Sequence, residues 1–155
     1  MTSNQQAPGA GRVIRVAGPD DVPAMLECDT YAQAHASRGD AVRVAVGRGQ
    51  GWGEGAAGRG AGYLLLNHDF FDHGFVSLVV VAPGQQRQGV ARRLLDAAEQ
   101  ACRTPRLFIS TNQSNLAARG LIAKAGFQPS GVIENLDGQD LSLIHISEPT
   151  RLRRI

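Results

Sequence analysis

The chain has few cysteines, no basic face and no long apolar run, and each lack closes off a class of function. Its two cysteines, Cys28 and Cys102, stand far apart with no partner at metal-ligating spacing, which excludes a disulfide framework and gives no zinc or other metal site. Both read as small buried apolar residues. The longest unbroken apolar run is Leu78–Ala82, far short of the ~20 residues a membrane helix needs. The polar opening Met1-Thr2-Ser3-Asn4-Gln5-Gln6 lacks a signal-peptide pattern, so a cytoplasmic protein with no membrane partner is expected. The sequon Asn112-Gln113-Ser114 carries no weight without a secretory signal. The formal charge of +2 and pI of 8.8 come from the end of the chain. Without Arg151, Arg153, Arg154 and Glu148 there remain 13 Lys and Arg against 13 Asp and Glu, which leaves no electrostatic footprint for nucleic acid. What is present is 155 residues, 43% hydrophobic and 19% charged, enough for one globular domain with a real core.

The segment Leu141–Arg151 resembles the translation of a sequencing-library adapter, so residues 141–155 are expected to be a non-native tail. On that reading residues 1–11 are a flexible leader, 12–140 are the functional domain, and the true C-terminus is missing.

Within 12–140, Arg12–Ala17 reads as a first strand. Pro19, Asp20 and Asp21 then start a helix that carries Val22, Met25 and Leu26 and ends near Asp29. Residues 36–46 fit either a strand, through Val42, Val44 and Val46, or a helical face. Gly47–Gly62 holds eight glycines in sixteen residues, which weakens any regular element and leaves Trp52 as the only large anchor. Gly53-Glu54-Gly55-Ala56-Ala57-Gly58 spells a dinucleotide fingerprint but runs on into a strand, Gly62–Leu66, rather than a helix. A loop over Asn67–Gly74 leads to the strand Phe75–Ala82, whose three consecutive valines suggest burial on both faces. A helix is expected over Gly89–Arg103, a strand over Arg106–Thr111, and a helix capped by Ser114 or Asn115 with Leu116, Leu121, Ile122 and Ala125 inward. Gly126 closes that helix, and Val132-Ile133 opens a further strand. The alternation indicates a mixed α/β sheet with helices on both faces.

The chemistry-bearing segment is the buried strand, Pro83-Gly84-Gln85, and then Gln86-Arg87-Gln88-Gly89-Val90-Ala91 opening a helix. Free amides at a helix start, beside small residues that let a ligand approach, make a pyrophosphate site. Val90 stands where a P-loop would continue with Gly-Lys, which disfavours ATP chemistry. Gln86-x-x-Gly89-x-Ala91 after Val81-x-Pro83 resembles the acyl-CoA-binding motif of the GNAT superfamily of N-acyltransferases. Asn115, Ala118, Leu121, Lys124 and Gly126-Phe127 resemble its second motif, and the likeness spans residues 12–139 in the right element order.

That resemblance implies an α/β fold with a mixed, mostly antiparallel central sheet flanked by helices on both faces. It implies N-acetyl transfer from acetyl-CoA to an amine acceptor, with no metal, and a homodimer as a candidate assembly. It makes Ala41–Val46 helix and Gly51–Ala57 a degraded second strand. The amides of Arg87, Gln88, Gly89, Val90, Ala91 and Arg92, in a loop begun by Gln86, would hold the CoA pyrophosphate. Arg87, Arg92 or Arg93 would meet CoA phosphates, Val79 and Val81 would pair with the pantetheine arm, and Asn115 would bind the cofactor or simply cap its helix. The backbone amide of Val79 or Val80 would polarise the thioester carbonyl. Where many members carry a tyrosine as general acid this chain has Ile122, and where some carry an acidic base on the strand it has Ser77. Candidate bases are His73, Glu134, His68 and Asp72. His68, Asp69, Asp72 and His73 also read, more weakly, as a metal cluster. Two rival readings stand beside the enzyme: a non-catalytic acyl-CoA-binding module, and a truncated inactive member lacking the family's closing strand after Asp140.

Overall fold

A computed structural model of the chain describes residues 13–56 and 59–149. The leader 1–11, Arg12, Ala57 and Gly58 of the glycine-rich motif, and residues 150–155 lie outside them. The strands are β1 (Val13–Val16), β2 (Gly51–Ala56), β3 (Arg59–Phe70), β4 (His73–Val81), β5 (Leu107–Asn112), β6 (Gln128–Asp137) and β7 (Asp140–Ser147). The helices are α1 (Val22–Glu27), α2 (Thr30–Ala34), α3 (Ala36–Gly47), α4 (Val90–Ala101) and α5 (Leu116–Lys124), with a short 3-10 turn over Pro19–Asp21. One sheet runs in the order β1-β2-β3-β4-β5-β7-β6. Its ladders are antiparallel between β1 and β2, β2 and β3, β5 and β7, and β6 and β7, and parallel between β4 and β5. The expected mixed, mostly antiparallel α/β sheet is the fold observed. No helix among the described residues is long and apolar enough to cross a membrane.

The chain divides into two compact units: Leu78–Leu94 with the chain up to Leu65, and Leu66–Ser77 with the chain from Leu95 onward. In the first, Ala17, Val22, Met25, Cys28, Val42, Ala45, Val46, Tyr63, Leu65 and Ala82 form one buried cluster. The ambiguous segment resolves as helix α3: Val42 and Val46 are buried four residues apart while Val44 is exposed, a helical and not an alternating pattern. The glycine-rich region, expected to weaken regular structure, instead carries strand β2 and the start of β3. The reason is close approach. A Cβ on Gly51 would stand 2.9 Å from Val46 Cγ2, so glycine lets α3 lie directly on the strand.

The same unit contains a buried polar knot that the sequence did not announce. Asp29, 3% exposed, caps α2 by accepting from the Tyr31 and Ala32 amides, pairs with Arg38 at 2.7 Å, and accepts from the Tyr63 hydroxyl at 2.5 Å. Burial raises its pKa, but the hydrogen bonds from Tyr63 and Arg38 outweigh that and hold the carboxyl below its ordinary value. The Tyr63 hydroxyl is pushed well above its own by burial and by Asp29. Cys28 is buried nearby, and burial pushes its thiol up to about 11.

In the second unit the expected eight-residue loop before β4 shrinks to a two-residue turn, Phe71-Asp72, both residues having positive φ. Phe70 packs on Phe75 and Phe108 there. Leu116, expected inward on α5, is 72% exposed, whereas Ile122 and Ala125 are buried as expected. The expected absence of a closing strand is also corrected. Asp140–Ser147 is β7, in register with β5 from Leu107↔Ser147 to Asn112↔Ser142 and with β6 on its other side. The adapter resemblance concerns where this segment came from; the pairing concerns what it does in the sheet.

Candidate functional site

Strand β4 ends at Val81, and the buried Ala82 donates its amide to Ala61 O at 2.8 Å. The chain then turns: Gln85 N donates to Ala82 O at 3.0 Å, with Gly84 at φ +86. Two more left-handed residues follow, Arg87 at φ +63 and Gly89 at φ +79, before α4 begins at Val90. Pro83 cannot continue a ladder, and the three positive φ values coil the backbone into a compact loop that brings it to the helix start. Arg93 N bonds to Gly89 O at 3.0 Å, so the Val90 and Ala91 amides ahead of it have no helical acceptor. Val90 and Leu94, 1% and 0% exposed, anchor the first turn while Gln86, Arg87, Gln88 and Gly89 stay exposed. Exposed amides at the positive end of a helix dipole, on a rigid base, are what a pyrophosphate group requires.

Val79 and Val81 lie on β4 directly before this loop. Leu78–Val81 is half-buried rather than buried on both faces as expected, and Ser77 is exposed. The parallel register with β5 covers Gly74–Val76 against Leu107–Ile109, so Val79 and Val81 fall outside that ladder.

Val79, Val81 and Gln86–Arg92 are thus consecutive along one strand, loop and helix start in the first unit. His73, Asn115 and Glu134 belong to the second unit, on three separate elements. His73 is the first residue of β4. It packs edge-on against Phe108, and its Nδ1 is buried without a hydrogen-bond partner. Glu134 is exposed on β6. Asn115 caps α5, its side chain accepting from Ala118 N at 3.1 Å. Ile122, where a general acid is expected, is 3% exposed. His68 Nε2 accepts from Arg103 N, and no group of three His, Cys, Asp or Glu able to hold a metal occurs among the described residues.

Of the three arginines near the loop, Arg93 does not reach outward. Its Nε and Nη2 donate to both carboxylate oxygens of Glu54 at 2.7 Å, and Nη1 donates to Gln88 O at 2.9 Å. The Glu54 side chain is wholly buried, and its hydrogen bonds, with its charge adding to them, raise the Arg93 pKa. Sequence reasoning met Glu54 only inside a failed nucleotide fingerprint. The available signal was a single carboxylate among glycines on a strand.

The model of the acetyltransferase (GNAT) family matches residues 25–127. A GNAT-family acetyltransferase from Bacillus cereus ATCC 10987 is 28% identical, with a TM-score of 0.83 over 88% of this chain and 96% of that one. The ribosomal-protein-S18-alanine N-acetyltransferase of Escherichia coli is 22% identical, with a TM-score of 0.73 over 89% and 94%. YncA of Salmonella typhimurium, solved with its cofactor acetyl-CoA, is 19% identical, with a TM-score of 0.70 over 89% and 94%. No curated protein matches the chain.

Proposed function

Because the chain belongs to the acetyltransferase (GNAT) family, we propose that it works in the cytoplasm and transfers the acetyl group of acetyl-CoA to a primary amine of a small molecule or peptide, by direct attack within a ternary complex. The observation that carries this reading is the loop Gly84–Gly89, whose three left-handed residues present backbone amides at the start of α4.

In this reading Arg87–Arg92 hold the pyrophosphate through backbone amides, and the exposed Arg87 adds a phosphate-facing charge. Val79 and Val81 pair with the pantetheine arm. The Val79 amide donates to the thioester carbonyl oxygen, where negative charge develops as the amine nitrogen bonds to the acyl carbon. Asn115, whose side chain caps α5, is the further cofactor-binding residue of this reading. The attacking nitrogen passes its proton to water, and the C–S bond breaks to leave a thiolate. Ile122 has no hydroxyl to donate, so solvent protonates that thiolate, a step its acidity permits. His73 and Glu134 are the candidate bases of this reading.

The test is calorimetric titration of acetyl-CoA into the chain and into Gly89→Glu, followed by thiol release with a panel of amines. Binding that disappears in a folded Gly89→Glu supports the reading. No binding by the folded parent overturns it. Ile122 favours one second reading, a module that binds acetyl-CoA without turnover; binding with no thiol release from any amine would select it.

A further inference from the structure

We propose that Arg93, held by Glu54, is a positioning residue that fixes the Gln88–Gly89 peptide so that the Gly89 amide is presented to a phosphate oxygen. This rests on the acetyl-CoA reading above.

Glu54 on β2 is in register with Gly62 on β3, so the two share a face. A Cβ on Gly62 would meet Val90 Cγ1 at 2.9 Å and Leu94 Cδ1 at 3.4 Å, which places that face under the start of α4. Glu54 is therefore a buried carboxylate beneath the helix that follows the loop. Its two oxygens take the Nε and Nη2 edge of the Arg93 guanidinium, and this side-on pair fixes the plane of the group. Only Nη1 remains, and it is aimed at Gln88 O, 2.9 Å away.

A peptide unit is planar and trans, so its N–H points opposite to its C=O. Tying Gln88 O to Arg93 therefore directs the Gly89 N–H away from Arg93. Gly89 suits the arrangement twice, by its φ of +79 and because a Cβ there would stand 2.9 Å from Arg93 Nη1. Glu54 also cancels the arginine's charge, so Arg93 acts through the peptide and not as a phosphate-binding cation. Lysine, a single point of charge, cannot satisfy both carboxylate oxygens and the carbonyl at once.

The test uses the full chain and two variants. Glu54→Leu with Arg93→Met replaces the pair by apolar groups and strands no buried charge, so it retains a cooperative melt. Arg93→Lys keeps a charge opposite Glu54 and serves if the double variant does not fold. Each is titrated with CoA and with acetyl-pantetheine, which lacks the pyrophosphate. The expected result is CoA affinity weakened by about tenfold, the worth of one oriented hydrogen bond to a charged group, with acetyl-pantetheine affinity unchanged. Unchanged CoA affinity in a folded variant overturns the peptide lock and leaves the acetyl-CoA reading standing. Equal loss for both ligands also overturns it, because that marks a general disturbance. A folded parent that binds no CoA overturns the acetyl-CoA reading and the lock with it.

Discussion

Ending the chain after Asp140 removes β7, a strand paired on both sides, and its cost follows from burial. Ile144 is 7% exposed, and Leu141, Leu143 and Ile146 are half-buried. One fully buried aliphatic side chain contributes about 2 kcal/mol and a half-buried one about half that, so the four together contribute about 5 kcal/mol. The ladder adds to this: β5 is in register with β7 from Leu107 to Asn112, and each backbone hydrogen bond lost nets ~1 kcal/mol. Ser147 Oγ also donates to Glu99 at 2.6 Å, and Leu141 O accepts from Gln113 N at 2.8 Å. The sum approaches the whole ~5–15 kcal/mol stability of an ordinary domain. A cooperative melt by circular dichroism is expected for 1–155, and residues 1–140 are expected to lose it. The bared edges of β5 and β6 should raise light scattering. A shortened chain melting within about 3 °C of the parent would have lost only ~1 kcal/mol and would refute this account of β7.

Four further outcomes are expected. Gly62→Ala sets a Cβ 2.6 Å from Val80 O, a backbone atom that cannot turn aside, and should lower stability by about 1–3 kcal/mol in a denaturant titration. Tyr63→Phe removes the hydroxyl from Asp29 and should cost ~1 kcal/mol at neutral pH. Because Asp29 is held below its ordinary value, its contribution is present above the unfolded pKa of about 3.9 and is lost as pH falls through the lower folded value. The parent should thus lose more stability than Tyr63→Phe below pH ~4, and equal acid sensitivity would count against this network. His145 is buried with Nδ1 unpartnered, and burial followed by Arg119 lowers its pKa, so charging it opposes folding. Stability should fall as pH drops below about 6.5, and His145→Gln should remove that dependence from the melting curve. Asn115→Ala should cost about 1 kcal/mol of thermal stability through the lost cap, and Asn115→Ser should restore most of it.

The parts of the fold that were legible in the sequence are those whose signals are local. Pro83-Gly84 stops β4, Asn115 caps α5, and Gly126, at φ +95, ends it; each follows from the φ range or hydrogen-bonding habit of one residue. The loop Gly84–Gly89 was legible for the same reason, as glycines and a helix start within a few residues. In the glycine-rich stretch the second strand was legible only through the family resemblance, because glycine's backbone freedom argues against a strand until a neighbour needs the space, and Val46 of α3 needs it at Gly51. The loop before β4 was overlong in the reading because the polar residues of Asn67–Asp69 sit within a paired strand.

Composition, spacing and periodicity by themselves determined an α/β chain with a glycine-containing turn between a strand and a helix, because those properties belong to residues taken in short windows. Tertiary structure alone decided that Arg93 turns to Glu54, 39 residues away. It alone decided that Asp29, Arg38 and Tyr63 form one buried network, and that Asp140–Ser147 lies between β5 and β6. The physical reason is common to all three. A side chain's direction and a strand's place are set by partners distant in the chain, and the energy of a buried charge or an unpaired edge depends on whether that partner arrives.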